Sequence, residues 1–329
     1  MSGVKCTNNR FRKYFVTGIL TGCIIALTGC GRILTSDYES MRVNDQINPM
    51  VTSQTSSIRE TSFASSLCLP EDVGAKGISL TNAGLFDLGN KETLYGSGLT
   101  QKVYPASTTK LMTALVALKH GSPQQRIRIS ERAANPGADA QRLVLDPGDS
   151  MTLEQAINYL LVFSANDVAI AIAENIGGSY DEFVTMMNKE AVAIGATGTH
   201  FTNPHGLHDE NHYTTPYDLY LILNEAVKYD LIREVLPQGE YNTTFVGEDG
   251  DSKSIAVKAT DEYLTGDTDP PKGITVIGGK TGTTEPAGHC LIILSKNEKG
   301  EDYISVLMKT DSLEDLYDGM NSLLSQIPN

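Results

Sequence analysis

The stretch Tyr104-Pro105-Ala106-Ser107-Thr108-Thr109-Lys110-Leu111-Met112-Thr113-Ala114-Leu115 decides how this chain folds. Leu111, Met112, Leu115, Val116 and Leu118 leave no polar face of normal width. The spacing therefore predicts a core helix over 106–120, stopped by Gly121. Ser107 and Lys110 stand three apart, so they share one face of its first turn. A serine hydroxyl is a weak nucleophile until a neighbouring base takes its proton. A lysine can be that base only when burial and nearby positive charge hold it neutral, and a core helix offers the burial. Taken alone, the pair reads equally well as an N-terminal serine with a surface lysine.

Further elements follow from pattern. Residues 77–96 read as a β-hairpin turning at Gly89-Asn90. Residues 153–163 read as a helix, with Thr152 and Gln155 as a capping box. Ser179 and Glu182 start another, and Thr215 with Pro216 a further one. Three strand-like runs, 273–280, 289–295 and 302–308, precede a last helix over about 312–326. Strands at both ends and helices between them predict one sheet built from the chain termini around a helical middle. No repeat is present, and no second C-terminal domain is expected.

Two further segments carry chemistry. Ser164-Ala165-Asn166 falls between helices, where a serine can relay a proton and an asparagine can hold both Lys110 and a substrate amide. It also reads as a plain inter-helix turn. Gly278-Gly279-Lys280-Thr281-Gly282-Thr283 ends a strand. Its glycines let another backbone come close, and an extended peptide can add to such an edge. Lys280 offers positive charge to a substrate carboxylate and helps keep Lys110 deprotonated.

Ser107-x-x-Lys110, Ser164-x-Asn166 and Lys280-Thr281-Gly282 together resemble the signatures of the penicillin-recognising serine enzymes. Within that group the chain resembles the D-alanyl-D-alanine carboxypeptidases, the low-molecular-mass penicillin-binding proteins. Asn203-Pro204-His205-Gly206-Leu207 and Thr283-Thr284-Glu285-Pro286-Ala287-Gly288-His289-Cys290 extend the likeness, which runs from about residue 68 to the end.

The resemblance implies an α+β fold of the β-lactamase/transpeptidase type, with an antiparallel sheet flanked by helices and a helical subdomain. It implies Ser107 as nucleophile, Lys110 as general base and Ser164 as proton relay. Asn166, Lys280, Thr281, Gly282 and Thr283 would bind substrate, and the Ser107 and Thr283 amides would form the oxyanion hole. The implied partners are peptidoglycan stem peptides and β-lactams, with no cofactor and no metal. Many relatives carry an arginine that supports carboxylate recognition. Here Tyr217 precedes Asp218, and no arginine follows Arg233. Lys280, Thr281 and Thr283, with Lys309, would then hold the carboxylate. Because one lysine does not replace a bidentate arginine, a D,D-endopeptidase stands beside the carboxypeptidase, and a non-catalytic penicillin-binding lipoprotein is the third reading. No Glu-x-x-Leu-Asn occurs, which disfavours a class A β-lactamase. His205, His208 and His212 lack the His-Glu-x-x-His spacing and read as a polar loop, and His289 as structural.

The N-terminal segment has its own logic. Lys5, Arg10, Arg12 and Lys13 precede a short apolar run ending in Leu27-Thr28-Gly29-Cys30. This reads as a signal peptide over 1–29, and its end resembles a lipobox, with Cys30 as the lipidated residue. An uncleaved anchor is the alternative. Residues 30–66 read as a solvated tether and 67–329 as the catalytic domain, held outside the cytoplasm at the membrane. Of the remaining cysteines, Cys290 lies in an apolar run where a free buried thiol is common. Pairing with Cys68 is the alternative for an exported chain.

The chain has 329 residues, 26 basic and 40 acidic, for a net charge of −14. Ordinary apolar content excludes wholesale disorder. The acidic balance excludes a phosphate-backbone binder, so no nucleic-acid partner is expected.

Overall fold

β8 (Gly288–Lys296) is the central feature of the architecture, because it is buried on both faces. Cys290, Ile292 and Leu294 point into one apolar cluster, while Leu291 and Ile293 point into another. This is the period-two alternation of a strand covered on both sides. The computed structural model describes residues 67–137 and 140–328. The expected signal peptide, Cys30 and the tether over 30–66 lie outside the described residues.

Among the described residues β8 belongs to a five-stranded antiparallel sheet in the order β2-β1-β9-β8-β7. Its other strands are β1 (Ala83–Asp87), β2 (Glu92–Ser97), β7 (Thr275–Thr284) and β9 (Asp302–Thr310). N- and C-terminal strands meet where β1 pairs with β9, as the sequence pattern requires. The hairpin is shorter than 77–96 suggested: its strands begin only at Ala83, and the turn over 88–91 places Lys91 at φ 62°. One face of the sheet is covered by the last helix, Leu313–Leu324, through Leu316, Met320, Leu323 and Leu324. The other face packs on the helical core.

The core helices are α1 (Lys110–His120), α2 (Glu131–Ala134), α3 (Leu153–Asn158), α4 (Asn166–Gly177), α5 (Tyr180–Ala193), α6 (Pro216–Ala226), α7 (Asp230–Val235) and α8 (Glu262–Thr265). The helix ending the chain is α9. The capping box of Thr152 and Gln155 is formed in full. Ser179 accepts the Glu182 N–H, and Thr215 accepts the Asp218 N–H.

Four expectations need correction. Residues 106–109 form a 3-10 turn, and the α-helix starts only at Lys110. Gly121 does not end α1 in the left-handed conformation; its φ is −122°. Glycine is needed there for space, since a β-carbon would meet Ile176 Cδ1 at 2.6 Å. The helix over 153–163 gives way to a π turn at Tyr159–Phe163, which ends with Ser164 at φ 68°. Finally, the middle is not purely helical. A second antiparallel sheet runs β3-β4-β5-β6, from β3 (Arg126–Arg128), β4 (Ser150–Thr152), β5 (Glu240–Val246) and β6 (Ser252–Lys258).

Candidate active site

Three segments meet at the start of α1. Ser107 lies half-buried in the 3-10 turn, preceded by Ala106 at φ 47°. A non-glycine residue is held there only when its surroundings over-determine it. The Ala106 carbonyl accepts the Thr109 hydroxyl at 2.8 Å, and Thr109 Oγ1 in turn lies 2.8 Å from His212 Nε2. Gly206, at φ 88°, closes over the same carbonyl; a β-carbon there would fall 1.8 Å from it. The nucleophile turn is thus clamped by the loop over 203–212, which was expected only to be a polar loop near the cleft.

Lys110 is fully buried. Its Nζ lies 2.9 Å from Ser107 Oγ, 2.6 Å from Asn166 Oδ1 and 2.7 Å from the His205 carbonyl oxygen. Burial pushes this amine well below the ordinary lysine range, and the charge of Lys280 pushes it further, against an opposing pull from Asp167. The sequence argument required both causes. A largely neutral amine at hydrogen-bond distance can take the Ser107 proton.

Asn166 is the first residue of α4, and its N–H donates to the Gln141 carbonyl at 2.8 Å. Ser164, two residues earlier, is buried in the left-handed conformation that ends the π turn. The wider π turn carries Ser164 out of the helix path and leaves the chain free to restart at Asn166.

The third segment is β7, an edge strand as expected. Gly282 brings it against the helix start, with its would-be β-carbon 2.8 Å from Ser107 N. Gly278 and Gly279 make similar approaches, to the carbonyl oxygens of Leu236 at 2.0 Å and Ile292 at 1.8 Å. Lys280 is buried, donates to the Thr281 carbonyl at 2.9 Å, and is brought down to about 7 by burial, opposed by Asp261. Thr281 Oγ1 meets Thr260 Oγ1 at 2.5 Å. Thr283 is exposed on the edge.

Lys309 is not gathered into this group. It precedes Thr310, which pairs with His289, which pairs with Thr283. That register leaves it two strands, about 10 Å, from the β7 edge. His289 is nearer than expected, with its Nδ1 3.1 Å from Thr283 Oγ1. Sequence reasoning also missed Asp167, whose Oδ2 accepts the Leu143 N–H at 2.7 Å. Burial raises that carboxyl to about 6. Its position one residue after Asn166 was the available signal.

Both histidines of the clamp are neutral. In each, Nδ1 accepts a backbone N–H: His205 from Leu207 and His212 from Thr202. Burial lowers each imidazole to about 3. These nitrogens are committed within the loop, and among the described residues no group of three or more His, Cys, Asp and Glu is placed to hold a metal. Cys68 and Cys290 are free and buried.

The sequence profile of the D-alanyl-D-alanine carboxypeptidases, peptidase family S11, matches residues 72–312. The chain belongs to this family. It is 34% identical over 222 residues to D-alanyl-D-alanine carboxypeptidase DacF of Bacillus subtilis, covering 65% of this chain and 54% of that protein. It is 33% identical over 230 residues to DacA of Haemophilus influenzae, covering 68% and 55%. The chain spans about half the length of these curated relatives. Among solved structures, the Streptomyces K15 DD-transpeptidase superposes with a TM-score of 0.70 at 25% identity, over 77% of this chain and 98% of that one. The family's fold is thereby the fold of this chain, α+β with antiparallel sheets flanked by helices.

Proposed function

We propose that this S11 family member is a serine-type D-alanyl-D-alanine carboxypeptidase that removes the terminal D-alanine of peptidoglycan stem peptides. The observation that carries the reading is the buried Lys110 amine, 2.9 Å from Ser107 Oγ and held below its ordinary range. Ser107 Oγ attacks the carbonyl between the two D-alanines while Lys110 takes its proton. The oxyanion forms against the Ser107 and Thr283 amides, each worth about 3 kcal/mol to the transition state. Ser164 passes a proton to the departing amine, and Asn166 positions the substrate amide. Water then hydrolyses the acyl-enzyme. Lys280, Thr281 and Thr283 receive the terminal carboxylate, with Gly282 allowing the strand its close approach.

A second reading, a D,D-endopeptidase acting on cross-links, is favoured by one observation: Arg233 is the last arginine in the chain. It lies on α7, with its Nη2 3.6 Å from Asp302. The wider arrangement is part of the same proposal. Residues 1–29 serve as a signal peptide, Cys30 carries the lipid, and 30–66 tether the catalytic domain over 67–329 to the outside of the bacterial membrane.

β-Lactams imitate the dipeptide and should acylate Ser107. The test is peptide mapping of the protein after treatment with a labelled penicillin. A stable adduct on Ser107, absent in Ser107→Ala, is expected. Failure of the intact protein to form any adduct would overturn the acyl-transfer reading.

A further inference from the structure

Lys280 faces a carboxylate outside the three signature motifs. Asp261 is 3% exposed, and its Oδ1 accepts the Tyr263 N–H at the start of α8. Its Oδ2 has no hydrogen-bond partner among the described residues. A buried carboxylate oxygen left unpaired costs free energy unless a charge compensates it. Glu262, Tyr263 and Tyr317 crowd Asp261 and supply no positive charge; Lys280 is the cation that acts on it.

The geometry joins the two residues. Thr260, next to Asp261, is strapped to Thr281, next to Lys280, by their hydroxyls at 2.5 Å. Asp261 and Gly279 line one cleft of about 240 Å3, walled by Leu161, Val162, Leu236 and Leu264. Those apolar walls hold the local dielectric low, so the carboxylate is felt strongly across the cleft. An ammonium has three donors, and Lys280 gives one to the Thr281 carbonyl.

We propose that Asp261 is the counter-charge that keeps Lys280 cationic in its buried position, and is thereby a positioning residue for recognition of the substrate carboxylate. The recognition half of this rests on the carboxypeptidase reading; the charge pairing does not. Burial alone drives Lys280 toward neutrality, and a neutral Lys280 neither attracts a carboxylate nor holds Lys110 deprotonated. Lys110 and Asp261 are the charged groups that couple to Lys280, and Asp261 is the one that favours its proton.

The test is Asp261→Asn, which keeps the helix-capping oxygen and removes the charge. Lys280 is followed by NMR on resting protein labelled at the lysine ε-carbon, with its signal assigned by Lys280→Met. Its titration midpoint should fall by about one pH unit, a tenfold change in proton affinity. With a pentapeptide at pH 7.5, KM should rise about tenfold while kcat stays within about twofold, and Asp261→Glu should restore both in part. An unchanged Lys280 midpoint in folded Asp261→Asn overturns the proposal. A shifted midpoint in a protein inert to pentapeptide would uphold the pairing and overturn the substrate reading instead.

Discussion

The β-carbon that Gly282 lacks would stand 2.8 Å from the Ser107 amide nitrogen and 3.0 Å from that of Thr108. An edge strand and the start of a core helix are therefore in backbone contact, and the proposed oxyanion hole lies at that junction. Gly282→Ala must push the two apart, because neither neighbour is a flexible side-chain end. Acylation by penicillin should slow at least about 100-fold, the effect of losing one oxyanion donor. Stopped-flow acylation of folded variant checks this, and a rate within about threefold of wild type would contradict it.

The two lysines set the pH response. Lys110 is held neutral by burial and by the charge of Lys280, whereas Lys280 titrates near 7. Acylation needs the first neutral and the second charged. For a peptide ending in a carboxylate, kcat/KM should therefore fall as the pH rises past about 7. The limb reports the free enzyme. The same peptide with an amidated end should lack that alkaline limb, and parallel pH profiles of the two substrates test this.

The clamp over the nucleophile turn makes stability depend on pH. His205 and His212 are lowered to about 3, below the unfolded value of 6.5. The unfolded chain therefore binds protons first, and each histidine withdraws stability as the pH falls from 6.5 toward 3. The slope is about 1.4 kcal/mol per pH unit for each ring. Asp167 and Asp261 are raised to about 6 and act with the opposite sign between 6 and 3.8. The histidine effect is best read as a difference. His212→Asn, whose amide oxygen can replace Nδ1, should be less stable at pH 7.5 yet lose stability more slowly than wild type below 6.5. Urea unfolding across that range measures it, and parallel slopes would exclude the clamp histidine as the cause.

Much of this site was legible because it is local in sequence. Ser107 and Lys110 share a turn, Ser164 and Asn166 flank a helix start, and Lys280 to Thr283 run along one strand. The apolar alternation of Cys290 to Leu294 likewise announced a strand. What was not legible depends on distant partners. Asp261 has no motif around it, and only the fold brings it to Lys280. The π turn at Tyr159–Phe163 carries the same apolar pattern as a helix. The hairpin of β5 and β6 alternates correctly, with Tyr241, Thr243 and Phe245 against Ile255 and Val257. Its charged and polar outer faces hid that period. The fixed orientation of Lys110 comes in part from the His205 carbonyl, and backbone acceptors leave no trace in side-chain identity.

The most direct test of the central claim is the fate of a pentapeptide muropeptide. Protein lacking residues 1–66 is incubated with a mixture of monomeric pentapeptide and cross-linked muropeptides, with Ser107→Ala as control, and the products are identified by mass spectrometry. The expected result is loss of one D-alanine from the monomer, dependent on Ser107. Cleavage of the cross-linked species alone would contradict the carboxypeptidase assignment in favour of the endopeptidase. The absence of any Ser107-dependent product would contradict the proposed catalysis altogether.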